Sequence, residues 1–68
     1  MKIKELDLHK VKHEDVDRLV ENFVLLNNPP LTIITGKSET MQKLVRTVLN
    51  RHDINYEQWA NPGEYKVF

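Results

Sequence analysis

Two segments of this sequence repeat apolar residues at intervals of three and four, the spacing that places side chains on one side of an α-helix. The first stripe consists of Val16, Leu19, Val20, Phe23 and Val24, and the second of Met41, Leu44, Val45, Val48 and Leu49. A short segment typical of a β-strand precedes each stripe, at residues 3–8 and 31–35. A chain of 68 residues with two such strand–helix units predicts one domain of the α/β class.

The residues around these stripes predict where the helices begin and end. Residues 27–30, Asn-Asn-Pro-Pro, end the first helix, because proline lacks an amide hydrogen and the residue before it avoids helical geometry. The dipeptide Gly36-Lys37 turns the chain into the second helix. Ser38 and Thr40 are both candidate N-caps of that helix.

The end of the chain predicts a β-hairpin. A third strand is expected at residues 54–60 and a fourth at residues 65–68, on either side of Asn61-Pro62-Gly63-Glu64, whose residue types favour a tight turn. The predicted element order is therefore βαβαββ. Because βαβ crossovers are right-handed, we expect a two-layer α/β sandwich, with a mostly parallel four-stranded sheet and two helices on one face.

The composition restricts the class of protein. The chain has no cysteine, which excludes disulfides and thiolate metal sites. Its ten Lys and Arg balance ten Asp and Glu, so any affinity for nucleic acid must come from a local basic patch. No apolar run approaches the roughly 18 residues of a membrane span, and no signal-peptide pattern follows Met1. We therefore expect a cytoplasmic protein and a monomer.

The segment Leu6-Asp7-Leu8-His9 alternates apolar and polar residues, as a half-buried strand does. Because successive side chains of a strand point to opposite faces, Leu6 and Leu8 face the core while Asp7 and His9 lie together on the other side. A carboxylate beside an imidazole is a candidate acid–base pair, since histidine side chains titrate near neutral pH. The alternative is a strand face with two solvated polar residues.

Residues 6–9, the helix that follows, and the apolar strand running into a Gly-Lys turn together resemble the Smr (small MutS-related) domain. That family has an LDLHG motif and a glycine-rich loop of the HGxG type. Asp7 and His9 match the first motif, and Gly36 and Lys37 match the start of the second. The resemblance extends from residue 3 to residue 68, so residues 1–68 are expected to form a single Smr-like domain.

The resemblance implies a fold and a function. The family fold is a two-layer βαβαββ sandwich similar to the C-terminal domain of translation initiation factor 3. Family members bind nucleic acid, and many are endonucleases that nick DNA or cleave mRNA on stalled ribosomes. The resemblance implies that the Asp-x-His motif and the glycine-rich loop take part in this activity. This chain departs from the family pattern at three positions, with Lys10 and Ser38 in place of glycines and Thr35 in place of histidine.

The carboxyl ends of the first two strands converge if those strands are neighbours, and ligands of open α/β sheets bind at such an edge. The turn at Gly36 is expected to present backbone amides to a phosphate at a helix N-terminus. The predicted catalytic residues are Asp7 and His9, and the predicted nucleic-acid or phosphate-binding residues are Lys10, Lys12, Gly36, Lys37 and Ser38. No cofactor is predicted, and a divalent metal is not indicated, because the spacing of Asp7, His9 and His13 matches no metal-site rule.

From these residues we expect a small Smr-like protein that binds nucleic acid, with RNA favoured over DNA, and that acts as a weak endonuclease. The alternative is a non-catalytic adaptor that docks on the ribosome or on a protein partner, because Thr35 removes the second histidine of the family pattern. A third interpretation is a small scaffold with no role in nucleic-acid binding.

Four other side chains have a functional and a structural interpretation. Trp59 either stacks on a base or packs at the edge of the sheet. Lys43, Arg46 and Arg51 lie off the second apolar stripe, where they either follow phosphates or form a solvated helix face. His52 is expected at the end of the second helix, where it complements the helix dipole.

Overall fold

The structure, a computed structural model, describes residues 4–59 and 63–68. Its elements are β1 (Lys4–Asp7), α1 (His13–Leu26), β2 (Leu31–Ile34), α2 (Glu39–Arg51), β3 (Tyr56–Gln58) and β4 (Glu64–Val67). The predicted order βαβαββ is confirmed. The predicted strand ends at residues 3 and 60, and residues 61 and 62 of the predicted turn, lie outside the described residues. Neither of the two described helices is long and apolar enough to cross a membrane.

The four strands form one mixed sheet in the order β1-β2-β4-β3. Strands β1 and β2 pair in parallel, whereas β4 runs antiparallel to both β2 and β3. The expectation of a mostly parallel sheet is therefore wrong. Strands β1, β2 and β3 point the same way, but the hairpin places β4 between β2 and β3, which removes the second parallel pairing. The molecule is a small α/β domain with two helices and a four-stranded mixed sheet.

The core lies between one face of the sheet and the two helices. The register pairs Leu31 with Val67 and Ile33 with Tyr65, and all four side chains are buried. Both predicted helical stripes contribute to the same cluster, with Val16 and Val20 from α1 and Met41, Val45, Val48 and Leu49 from α2. Leu8, just after β1, is also fully buried in it. This shared core holds the loops that follow β1 and β2 in fixed positions.

The opposite face of the sheet, which we call the polar face, carries mostly polar side chains. The register forms one row from Glu5, Thr32, Lys66 and Glu57, and a second from Asp7, Ile34, Glu64 and Trp59. Lys66 Nζ donates a hydrogen bond to Thr32 Oγ1 at 2.7 Å and lies 5.1 Å from the centroid of the Trp59 ring. These contacts place the Trp59 ring on the same face as Lys66.

Ser38 is the N-cap of α2, which decides between the two candidates in the sequence. Its Oγ accepts a hydrogen bond from the Met41 N–H at 3.2 Å, whereas Thr40 is an exposed residue of the first helical turn. Ser38→Ala is expected to lower the free energy of unfolding by about 1 kcal/mol. Thr40→Ala, the matched control, is expected to change it by less than about 0.5 kcal/mol. Urea denaturation followed by circular dichroism measures both, and equal losses would contradict this assignment.

Candidate functional site

The strands β1 and β2 end side by side at one edge of the sheet. Their parallel pairing continues one residue beyond β1, because the Leu8 N–H donates to the Ile34 carbonyl oxygen at 2.9 Å. The loops that follow the two strands therefore leave the sheet at the same edge. This arrangement brings His9, in the first loop, next to Gly36, in the second. We call the surface formed by Asp7, His9 and Gly36 the rim site.

Asp7 orients the His9 ring through one ring nitrogen. Asp7 Oδ1 accepts a hydrogen bond from the His9 backbone N–H at 2.9 Å and lies 2.7 Å from His9 Nδ1. Because an ionised carboxylate can only accept, Nδ1 carries the proton, and in the neutral imidazole Nε2 then has the free lone pair. The side chains are well exposed, 57% for His9 and 63% for Asp7. The pair has the geometry of a general base that a carboxylate orients and that a substrate can reach.

The His9 ring lies against the Cα atom of Gly36. A methyl group added there would lie 2.9 Å from His9 Nε2 and 3.0 Å from Cδ2, at or inside the closest approach that side-chain carbons make. The φ angle of Gly36 is +71°, in the left-handed region that glycine adopts without strain. Glycine is therefore favoured here by its backbone geometry, and its lack of a side chain leaves room for the imidazole.

Gly63, at the start of β4, holds the Gly36 loop from the other side. Its carbonyl oxygen accepts hydrogen bonds from the N–H groups of Thr35, at 2.7 Å, and Gly36, at 3.2 Å. A methyl group on Gly63 would lie 2.5 Å from the Gly36 carbonyl oxygen, and the φ angle of Gly63 is +111°. The sequence marks Gly63 only as a turn residue, and nothing in the local pattern connects it with Gly36.

The Gly36 carbonyl oxygen accepts two further hydrogen bonds from side chains. Gln42 Nε2 donates to it at 3.1 Å and Thr35 Oγ1 at 3.0 Å. Sequence reasoning did not assign Gln42 to the site, although a signal was present. Gln42 lies three residues before Val45, on the buried side of α2, where a polar residue needs a hydrogen-bond partner. Gln42 is thus a positioning residue for the loop.

Three of the predicted phosphate-binding residues lie in or next to the Gly36 loop. The Gly36 N–H donates to Gly63, so Gly36 does not itself offer an amide to a phosphate. Lys37 follows it with an exposed side chain. Ser38 uses its Oγ to accept from the Met41 N–H at the start of α2. Of these three residues, Lys37 is therefore the one that presents a cation to solvent beside the rim site.

The two predicted lysines of the first loop lie in different places. Lys10 lines an open depression together with Asp7 and His9. Lys12 lines a neighbouring depression together with His13, the first residue of α1. The structure therefore groups Lys10 with the acid–base pair, whereas Lys12 and His13 form a separate part of the surface.

The basic side chains at the C-terminal half of α2 are engaged within the protein. The contacts are Arg46 Nη1 to Tyr65 Oη at 3.0 Å and Arg51 Nη1 to Asp17 Oδ1 at 3.0 Å. His52 is the C-cap of α2, and its buried Nε2 lies 3.5 Å from Glu21 Oε1 without forming a hydrogen bond within the described residues. Lys43 is exposed on the same helix. Arg46 joins α2 to the sheet and Arg51 joins it to α1, so these two side chains have structural partners.

The pKa of the Asp7 carboxyl lies below its ordinary value of 3.8. The largest cause is the hydrogen bond from the His9 backbone N–H, and the next is the hydrogen bond from the His9 imidazole. Ionised Asp7 therefore stabilises the folded state at pH values above the ordinary pKa of 3.8. This contribution is lost as the pH falls through the lower pKa that Asp7 has in the folded protein. NMR titration of the Asp7 carboxyl carbon should give a midpoint below 3.8. In His9→Ala the pKa should rise but stay depressed, because the backbone N–H remains. An ordinary pKa in the unsubstituted protein would contradict the geometry.

Comparisons with models of protein families, with curated proteins and with solved structures find no match to this chain. Within residues 4–59 and 63–68, no group of three or more His, Asp or Glu side chains is placed to hold a metal ion.

Proposed function

We propose that this protein is a small Smr-like domain that binds nucleic acid, RNA in preference to DNA, and cleaves it weakly. The observation that carries the proposal is the position of His9, whose Nδ1 is bonded to Asp7 and whose ring lies against Gly36. Lys10 and Lys37 flank this pair with cations of the kind that bind phosphate. A base, its orienting carboxylate and two cations at one edge of the sheet suit a phosphodiester substrate.

The proposed fold family is supported by two features of the chain. The element order βαβαββ is that of the Smr domain and of the C-terminal domain of translation initiation factor 3. The Asp-x-His and Gly-Lys segments that match the Smr motifs meet at the rim site. In this proposal the chain is a two-layer sandwich whose sheet is mixed rather than mostly parallel.

The proposed reaction uses the 2′-hydroxyl of RNA as the nucleophile. His9 Nε2 accepts the 2′-hydroxyl proton while the 2′ oxygen bonds to phosphorus and the bond from phosphorus to the 5′ oxygen breaks. Water protonates the departing 5′ oxygen, so the products are a 2′,3′-cyclic phosphate and a 5′-hydroxyl. Asp7 keeps Nδ1 protonated and stabilises the imidazolium that forms. The preference for RNA follows, because DNA lacks the 2′-hydroxyl.

Thr35 favours the second candidate function, an adaptor that binds the ribosome or a protein partner without cleavage. The family pattern has a histidine at this position. Here the residue is 3% exposed, and its hydroxyl donates to the Gly36 carbonyl oxygen. Thr35 therefore supports the loop and supplies no second acid–base group. A site with one imidazole is expected to cleave slowly or to bind only.

The test is an NMR titration of the ¹⁵N-labelled protein with a short single-stranded RNA and with DNA of the same sequence. We expect the largest amide shifts at His9, Lys10, Gly36 and Lys37, and affinity that falls as salt rises. The double substitution Lys10→Ala/Lys37→Ala should weaken RNA binding about tenfold. Lys43→Ala, an exposed lysine on α2, is the control and should have less than about a twofold effect.

The outcomes separate the candidates. Shifts scattered over the surface, or equal losses in the two lysine variants, would reject the rim site. RNA that binds there and yields a 2′,3′-cyclic phosphate product supports the nuclease. RNA that binds there without yielding product supports the adaptor.

A further inference from the structure

The polar face of the sheet carries more negative than positive charge. Four carboxylates, those of Glu5, Asp7, Glu57 and Glu64, project from its two rows, and Lys66 is the one cation in those rows. Asp7 is bonded to His9 at the rim. Among the described residues the three glutamates form no ion pair. The two rows therefore carry a net negative charge.

In the described part of the chain, Lys66 forms no ion pair with these carboxylates, although Glu57 is its direct cross-strand neighbour. Its Nζ donates instead to Thr32 Oγ1 and lies 5.1 Å from the centroid of the Trp59 ring. That distance is within the roughly 6 Å of a cation–π interaction. Trp59 remains 50% exposed. The ring thus already accepts one cation and still offers surface to another group.

The carboxylates are spread across the sheet rather than gathered at one point. Glu5 lies on the edge strand β1 and Glu57 on the edge strand β3. Three strand spacings of about 4.8 Å separate these edges, about 14 Å in all. A single bound ion is too small to contact both edges. An extended peptide, rising about 3.3 Å per residue, covers the distance in four or five residues.

We propose that the polar face docks an extended, arginine-rich segment of a partner protein. Guanidinium groups pair with carboxylates through two parallel hydrogen bonds and stack on tryptophan, so one residue type uses both features of the face. The half-buried Ile34, between Asp7 and Glu64 in its row, gives the segment an apolar contact. RNA is the wrong occupant, because its phosphates are repelled by the same carboxylates. This docking surface shares Asp7 with the rim site, but Glu5, Glu57 and Trp59, on which its test depends, lie outside that site.

The experiment titrates the full chain with octa-arginine. Trp59 is the only tryptophan of the chain, so its fluorescence reports on this face. We expect a saturable change with octa-arginine and a weaker one with octa-lysine, which does not stack as a guanidinium does. Glu5→Gln/Glu57→Gln removes one carboxylate from each exposed edge strand and should weaken binding at least about fivefold.

The matched control is Glu14→Gln/Glu39→Gln, which makes the same change in net charge at exposed positions on the two helices. It should weaken octa-arginine binding less than about twofold. A second variant, Trp59→Leu, is measured by the anisotropy of fluorescein-labelled octa-arginine and should bind several-fold more weakly. Agreement of both variants with these expectations supports the docking surface.

Three results would overturn the proposal. The first is equal weakening by the two glutamine pairs, which would mean that octa-arginine responds to net charge alone. The second is octa-arginine binding with no change in Trp59 fluorescence. The third is an octanucleotide RNA that shifts the amides of Glu57 and Lys66, which would make nucleic acid the occupant. None of these results depends on whether RNA binds the rim site.

Discussion

Gly63→Ala is expected to destabilise the protein by about 3 kcal/mol or more. The φ angle of Gly63 is +111°, which L-residues rarely adopt, and the added methyl group would lie 2.5 Å from the Gly36 carbonyl oxygen. The backbone sets the position of the added methyl group, and the oxygen that it meets is also a backbone atom, so the overlap is relieved only if β4 or the Gly36 loop moves. The hydrogen bonds from Thr35 and Gly36 to Gly63 would be lost with that movement. Thermal unfolding should show a midpoint at least about 12 °C lower.

Gly36→Ala is the matched comparison for this prediction. Its added methyl group meets the His9 ring, an exposed side chain that can turn away. The loss should therefore be smaller, about 1–2 kcal/mol, mostly from the left-handed φ angle of +71°. In a His9→Ala background Gly36→Ala should destabilise the protein less, because the imidazole ring that the methyl group meets is absent. Equal losses for Gly63→Ala and Gly36→Ala would contradict the close contact between the two glycines.

Under the nuclease proposal, His9→Ala is expected to reduce RNA cleavage about 100-fold or more, the lower end of the contribution of a positioned general base. The reason is that His9 Nδ1 donates to Asp7, so Nε2 is the ring nitrogen that can accept the 2′-hydroxyl proton. The measurement is the initial rate at which a labelled single-stranded RNA yields the 2′,3′-cyclic phosphate product. Binding of RNA, followed separately by anisotropy, should change less than about threefold, because the flanking lysines remain.

Two further variants test the assigned role of each group. His13→Ala removes a neighbouring exposed histidine that lines a different depression and should leave the rate within about twofold. In Asp7→Asn the amide is able to donate to Nδ1, which would move the proton to Nε2 and block the base, so the rate should fall at least about tenfold. A His9→Ala protein that cleaves at the unsubstituted rate would exclude His9 as the base.

The helices and the element order were predictable because their signals are local. Apolar residues at intervals of three and four predicted both buried stripes, and Asn-Asn-Pro-Pro at residues 27–30 marked the end of α1. The Asp7–His9 bond was predictable for the same reason, since a strand places residues two apart on one face. The contact of His9 with Gly36 required one more step, namely that a helix joining two adjacent strands makes them parallel.

The position of β4 was not predictable from such patterns. Alternation of apolar and polar residues specifies which face of a strand is buried, and it does not specify which strand lies beside which. Tyr65 and Val67 give the same alternating pattern whether β4 lies at the edge or in the interior of the sheet. For that reason the sheet was wrongly expected to be mostly parallel. For the same reason the contact between Gly63 and Gly36 could not be predicted, because it exists only when β4 pairs with β2.

The sequence by itself determined two amphipathic helices, the order of six elements and a carboxylate–imidazole pair, because each depends on residues a few positions apart. The tertiary structure alone decided that β4 inserts between β2 and β3. It also decided that Gly63 and Gln42 fix the loop against His9, and that four carboxylates and Trp59 share one face of the sheet. These features join residues distant in sequence, and their pairing is set by how the whole core packs rather than by any local period.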